Sequence, residues 1–363
     1  MVSCGVGADG KSSRLEGDAR GLSLVLGAGV TLSTLSIFSP FGVRFFSLLA
    51  GSIGAAVILF SALALGLRIH RSLCGDAAAG DVNEIFSAIV IGSGVFGCLI
   101  YGLAAFGLYR PWIGLALMAS ALWGGGGTSW RLLKSVVLDR PLLLWVAAPA
   151  WSSLLLAYGA PVIFWDSHAY HLAIPEIIHA TGALPRGASY IYGYYPVANE
   201  CLFALGWVFR AGEPIAQILN AAFLFLACAV AAEPLPPEER RLARTLLVST
   251  PAIVMLAFLP KNTGLLALAT IVACHHAMGD ETRPCRPLLA GLALGTAAAT
   301  HHAALILAPF LVAFLLRGCG WKKTAQAISL AFCIRWPACS RFMSAGMRNF
   351  SAPFFFEPSH LVG

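Results

Sequence analysis

Asp166 follows 25 residues (141–165) that carry no charged side chain, and it opens a dense polar cluster in the stretch FWDSHAYHLAIPEIIHATGALP (164–185). Asp166, His168, Tyr170, His171 and His179 fall within a few turns of one another. These groups donate, accept and exchange protons near neutral pH. On a helix beginning at Ser167, Asp166 is placed to cap the first turn with its carboxylate. Asp166 and Tyr170 are four apart and His168 and His171 three apart, so each pair is expected to share a face. Pro175 is expected to kink this helix and Gly182 to end it. A capping aspartate and anchoring aromatics would account for Asp166 and Tyr170, but not for the density of histidines. Downstream, ASYIYGYYPVANE (188–200) adds four tyrosines, Tyr195 among them, and then Glu200. Tyrosine is ordinary at a membrane interface, and it also lines sugar and lipid-headgroup sites because it offers a flat face and a hydroxyl.

The elements that must hold these residues are membrane helices. Of 363 residues, 58% are hydrophobic and 11% charged, with a mean hydropathy of +0.78. That composition lies outside the soluble globular range. A span needs roughly 20 apolar residues, and the expected spans are 21–38, 45–67, 85–109, 111–127, 141–160, 213–232, 246–260, 262–278, 287–301, 303–316 and 324–338. The fold class is thus an all-α polytopic bundle of about eleven spans. With a cytoplasmic N-terminus, 16 of the 24 lysines and arginines face the cytoplasm, as the positive-inside rule asks. The same rule makes 198–210 an interfacial helix on the outer surface with Trp207 at headgroup depth, because a crossing there would put EERRLAR (238–244) outside. The expected division is a tail at 1–20, N-terminal membrane helices at 21–140, and a core at 141–363 with an extracytoplasmic loop at 161–212.

The net charge of +7 then reports topology and the lipid bilayer as partner, with no nucleic acid. Residues 1–20 lack an apolar run with a small-residue cleavage site, so no cleaved leader is expected and the first span serves as insertion signal. GVGADG (5–10) matches a dinucleotide pattern, but it sits in a polar tail with no strand before it. GGGG (124–127) and GSIGA (51–55) read as close helix packing or a helix end. CHH (274–276) reads as structural, since consecutive side chains point around a helix and rarely converge on one ion. No metal site is expected. The ten cysteines show no C-x-x-C pair and behave as small hydrophobes; Cys201 and Cys339 fall on the same outer side, with nothing to demand a bond between them.

The combination D…YHL…P…G…YYP…NE resembles the first extracytoplasmic loop of the polytopic GT-C glycosyltransferases, specifically the bacterial relatives of protein O-mannosyltransferases and the aminoarabinose lipid A transferase. RRLARTLLVSTPAIVMLAFLPKNTGLLALATIVA (240–273) is similar to the family's basic cytoplasmic turn, a span, a short outer turn and another span. PLLAGLALGTAAATHHAALILAPFLVAFLL (287–316) resembles its Gly-rich helix pair. IRWPACSRFMSAGMRNFSAPFFF (334–356) is similar to its Trp/Pro exit and Pro-Phe tract. The resemblance covers about 155–356.

The resemblance implies transfer of a sugar from a polyprenyl-phosphate donor to a lipid, glycan or protein acceptor at the outer face of a bacterial inner membrane, with inversion and no cofactor. Asp166 would be the general base, its pKa raised by partial burial. His168, Tyr170, His171, Tyr195 and Glu200 would position substrate, and Lys261, His301 and His302 would hold phosphate. Two steps depart from the family. The outer turn reads PKNTG, with Lys261 and Asn262 where relatives carry a second acid, and the Thr-Lys step reads THHA. Relatives also continue where this sequence stops at Gly363, so the expectation is a C-terminally truncated copy. The competing readings are a non-catalytic assembly subunit or remnant of an envelope-polysaccharide system, and a secondary transporter. Transport would bury ionisable groups at mid-membrane or break helices in paired repeats; Asn220 and His301–His302 are its mild candidates.

Overall fold

Long apolar runs without proline or interior charge leave the backbone to satisfy its own hydrogen bonds, and the chain answers with helices. A computed structural model describes residues 42–75, 82–139, 165–185, 196–257, 259–279 and 285–349, and among these residues there is no strand. In order they form α1 (Gly42–Cys74), α2 (Val82–Ala105), α3 (Pro111–Asp139), a π-helical turn (Ser167–Leu172), α4 (Ala173–Thr181), α5 (Ala198–Trp207), α6 (Gly212–Ala231), α7 (Pro237–Ser249), α8 (Pro251–Ala257), α9 (Thr263–Met278), α10 (Arg286–Thr300) and α11 (Ala304–Asn349). Among the described residues four stretches are long and apolar enough to cross a membrane: Leu48–Cys74, Asn83–Ala105, Gly212–Ala231 and Ala304–Ile334.

The count of eleven spans is not reproduced. The expected spans 21–38 and 141–160 lie outside the described residues. The expected span 246–260 is split, because Pro251 cannot continue α7 and starts the seven-residue α8 instead. α9 has 16 residues and α10 has 15, short of the roughly 20 that a full crossing needs. The spans expected at 303–316 and 324–338 appear as two arms of α11, broken at Gly320 (φ 76°, ψ 168°). The second arm runs in the same direction as α10, with Gly291 against Ala327 and Gly295 against Ala331.

Small residues set the close crossings. A Cβ at Gly66 would collide with the Ala88 carbonyl, and one at Gly92 with the Ala62 carbonyl, so α1 and α2 run antiparallel at backbone contact. The GGGG stretch continues α3 as helix and packs Gly125 so close that an added Cβ would lie 2.6 Å from the Ala64 carbonyl oxygen, and one at Gly51 would lie 2.7 Å from the Pro214 side chain of α6. Both glycine motifs therefore serve packing, as expected.

One apolar cluster runs from Ala55 of α1 to Ala327 of α11. At its centre lies α5. Every residue from Ala198 to Gly206 is buried, and α5 packs against α1, α2, α3, α4, α6 and α10. The expectation of an interfacial helix on the outer surface is therefore corrected. Cys201, Leu202, Phe203, Ala204 and Leu205 make this segment apolar on all sides, and a helix of that kind belongs inside a protein.

Candidate functional site

Asp166 does not cap. Its backbone is already helical (φ −57°, ψ −39°) and its carboxylate makes no bond to the first turn. Instead Lys261 Nζ donates to Asp166 Oδ2 at 3.0 Å. The Asp166 side chain is 52% exposed and that of Lys261 20%, so the aspartate is only half covered.

The turn that follows is wider than an α-helix. Ser167–Leu172 adopts π geometry, and the regular helix resumes just before Pro175, which has no N–H to donate to the preceding turn. Widening separates His168 from His171: the first is exposed, the second buried. The shared face expected of this pair is corrected for that reason. Single π-turns recur at functional sites because they re-aim side chains, and here the change turns His171 inward. Gly182 ends α4 as expected, in the left-handed conformation (φ 76°), with its N–H on the Ile178 carbonyl.

Below the exposed pair lies a buried one. His171 Nδ1 is 2.6 Å from Glu200 Oε1, and both side chains are at most 1% exposed. Glu200 Oε2, Asn199 Oδ1 and Ser167 Oγ are buried without a hydrogen-bond partner among the described residues. Tyr170 is half-buried and its ring lies 3.8 Å, centroid to centroid, from that of His171.

Lys261 is carried on the turn between α8 and α9, and three asparagines hold that turn. Asn220, in the middle of α6, donates from Nδ2 to the Leu256 carbonyl at 2.8 Å and to the Leu259 carbonyl at 2.7 Å, and its Oδ1 accepts the Gly264 N–H at 2.8 Å. Asn262 Nδ2 donates to the Thr300 carbonyl at 3.2 Å, and Asn199 Nδ2 reaches the Lys261 carbonyl at 3.5 Å. Asn220 is thus a structural clamp, and its role was hidden in the sequence because none of its partners is near it in the chain. The Asn262 bond brings the end of α10 alongside. There His301 and His302 stack at 4.2 Å, with the His301 side chain within electrostatic reach of Glu200 and His171. Burial, with His302 next and His171 last, lowers the His301 pKa against the opposing pull of Glu200.

The structure therefore joins Asp166, Tyr170, His171, Glu200, Lys261 and His301 from four places in the chain at one end of the bundle, the π-helical turn, α5, the α8–α9 turn and the end of α10, with His302 and His168 exposed at the edge. Tyr195 lies outside the described residues. Among the described residues no three His, Cys, Asp or Glu side chains are placed to hold a metal ion. His276, from the CHH stretch, is a structural tie at the other end, with Nε2 2.7 Å from Ser87 Oγ. That end also holds a disulfide absent from the sequence reading, Cys74–Cys285 with Cα atoms 5.3 Å apart, while Cys201 is free and buried. Comparison with known protein families, characterised proteins and solved structures found no match to this chain.

Proposed function

We propose that this chain is a polytopic membrane glycosyltransferase of GT-C type, moving a sugar from a polyprenyl-phosphate donor to an acceptor on the extracytoplasmic face. The observation that supports it is the uncapped, half-exposed carboxylate of Asp166 against Lys261, beside the buried His171–Glu200 pair. A carboxylate released from capping keeps its lone pairs for a proton, and an ammonium 3.0 Å away can leave it for a phosphate.

In this reading the acceptor hydroxyl attacks the anomeric carbon, the bond from that carbon to the phosphate oxygen breaks, and the hydroxyl proton passes to Asp166. The lipid phosphate departs with both bonding electrons. Lys261 and His301 stabilise its charge, and His301 takes a proton more readily once an anion lies beside it. His171, buried against Glu200, braces the turn that carries Asp166 and does not itself meet substrate.

Asp166→Asn keeps the size of the side chain and removes its basicity. Transfer from a polyprenyl-phosphate sugar should fall about 10²-fold or more while donor lipid still binds. An Asp166→Asn protein as active as the wild type removes the mechanism. No transfer by the wild type from hexose, hexosamine or pentose carriers would point instead to an assembly role in an envelope-polysaccharide system.

A further inference from the structure

The end of the bundle opposite Asp166 carries chemistry that glycosyl transfer does not use. α10 spans 15 residues, about 22 Å, with Thr300 and His301 at one end and Cys285 at the other. Cys285 is the N-cap residue of α10, and Arg286 follows it. Its disulfide partner Cys74 is the last residue of α1, one turn after Arg71, which is paired with Glu84 at 2.9 Å. Cys285 is 7% exposed and Cys74 is half-buried. A helix N-terminus favours thiolate over thiol, and the positive charge of Arg286, the next residue in the chain, acts in the same sense. The two sulfurs are therefore unequal: Cys74 is the accessible one, and Cys285 is the better leaving group.

We infer that Cys74 and Cys285 form a reversible thiol–disulfide exchange site that accepts a small thiol or a protein dithiol as reductant. The reductant thiolate attacks Cys74 Sγ, the Cys74–Cys285 bond breaks, and Cys285 Sγ leaves as thiolate at the N-terminus of α10. A second reductant thiolate then attacks the sulfur of the reductant in the mixed disulfide, releasing Cys74 as thiolate and leaving the reductant as its own disulfide. Two electrons pass to the cysteine pair, and protons from solvent complete the thiols. Disulfide glutathione reverses the sequence. The sign of the surrounding charge, with Arg68, Arg71, Arg240, Arg241, Arg286, Lys322 and Lys323 by sequence on the side expected to be cytoplasmic, places this pair where thiols are kept reduced. It is then a dithiol at rest and closes under oxidation, linking α1 to α10 across 211 residues of sequence.

The test is independent of any transferase activity. The purified full chain is equilibrated in reduced/oxidised glutathione buffers and the two cysteines are followed by peptide-resolved differential alkylation; intact cells are acid-quenched and alkylated in the same way. The expected results are a pair that titrates between dithiol and disulfide within the glutathione range, is reduced in unstressed cells, and closes after treatment with diamide. Arg286→Gln should shift the half-point toward disulfide by about two- to fivefold in the glutathione ratio. A pair that stays oxidised in every buffer and in resting cells, one that never closes, or an unmoved half-point in Arg286→Gln would each overturn the assignment.

Discussion

Asn220 Oδ1 accepts the Gly264 N–H at 2.8 Å while its Nδ2 holds the Leu256 and Leu259 carbonyls, so a side chain in the middle of α6 fixes the turn on which Lys261 stands. Gly264 is required there, since a Cβ would meet the Asn220 backbone carbonyl. Asn220→Leu strands two acceptors and one donor and should destabilise the protein by about 3 kcal/mol, read as a lower melting temperature in detergent. A change below about 0.5 kcal/mol would mean the clamp contributes little.

Lys261→Met separates function from stability at the Asp166 pair. Exposed ion pairs contribute about 0–1 kcal/mol, so melting should barely move. Transfer activity should nevertheless drop about tenfold or more if the ammonium meets donor phosphate. Equal losses in stability and activity would make Lys261 merely structural.

His301 gives a pH dependence with a definite sign. Its folded-state pKa lies below the ordinary value, burial being the main cause. The neutral ring therefore contributes stability that is present above about pH 6.5 and is lost as pH falls through the lowered folded value. Binding of a lipid phosphate should tighten over that same fall, because the anion favours the protonated ring. Melting and binding curves of wild type and His301→Gln from pH 7.5 to 5 would show both trends in the first protein alone; identical curves would refute the role.

The antiparallel contact of α1 and α2 predicts which glycines resist change. Gly66→Val forces a side chain into the Ala88 carbonyl and should cost about 3 kcal/mol or more. Gly102→Ala, with nothing within 4 Å of the new methyl, should be neutral or stabilise by about 0.5 kcal/mol. Comparable melting temperatures for the two variants would contradict the packing.

Orientation can be read from single cysteines. Thr181 ends α4 and is exposed, and Glu238 is exposed near the start of α7. An impermeant maleimide on intact cells should label Thr181→Cys and spare Glu238→Cys. The reverse pattern would invert the topology and remove the extracytoplasmic site.

Sequence periodicity and apolar length made α1, α2 and α6 legible, because a run such as Gly212–Ala231 carries its own reason to be a helix. Local sequence also gave the Gly182 stop and the role of the glycine stretches. What it could not give was partnership across distance. Nothing near Asp166 announces Lys261, 95 positions on, and nothing near Cys74 announces Cys285. The placement of α5 failed for a different reason: the positive-inside rule, by excluding a crossing at 198–210, suggested a surface, while the all-round apolar face of Cys201–Leu205 was the better guide. For the pairing of His168 with His171, α-helical spacing was assumed where Pro175 imposes a wider turn.

The position of α5 has a consequence for how the protein is made. At ten residues it spans about 15 Å, half the hydrocarbon thickness of a bilayer, and its first turn carries Glu200. Such a segment gains nothing by entering lipid alone. It must shelter against α1 and α2, which leave the ribosome about a hundred residues earlier, until α6 and α10 arrive to enclose it. Assembly then proceeds from the rim inward, and the middle of the molecule closes last. The slow step in biogenesis is expected to be this enclosure, and substitutions in α5 should reduce yield by prolonging exposure of a half-wrapped intermediate to membrane proteases.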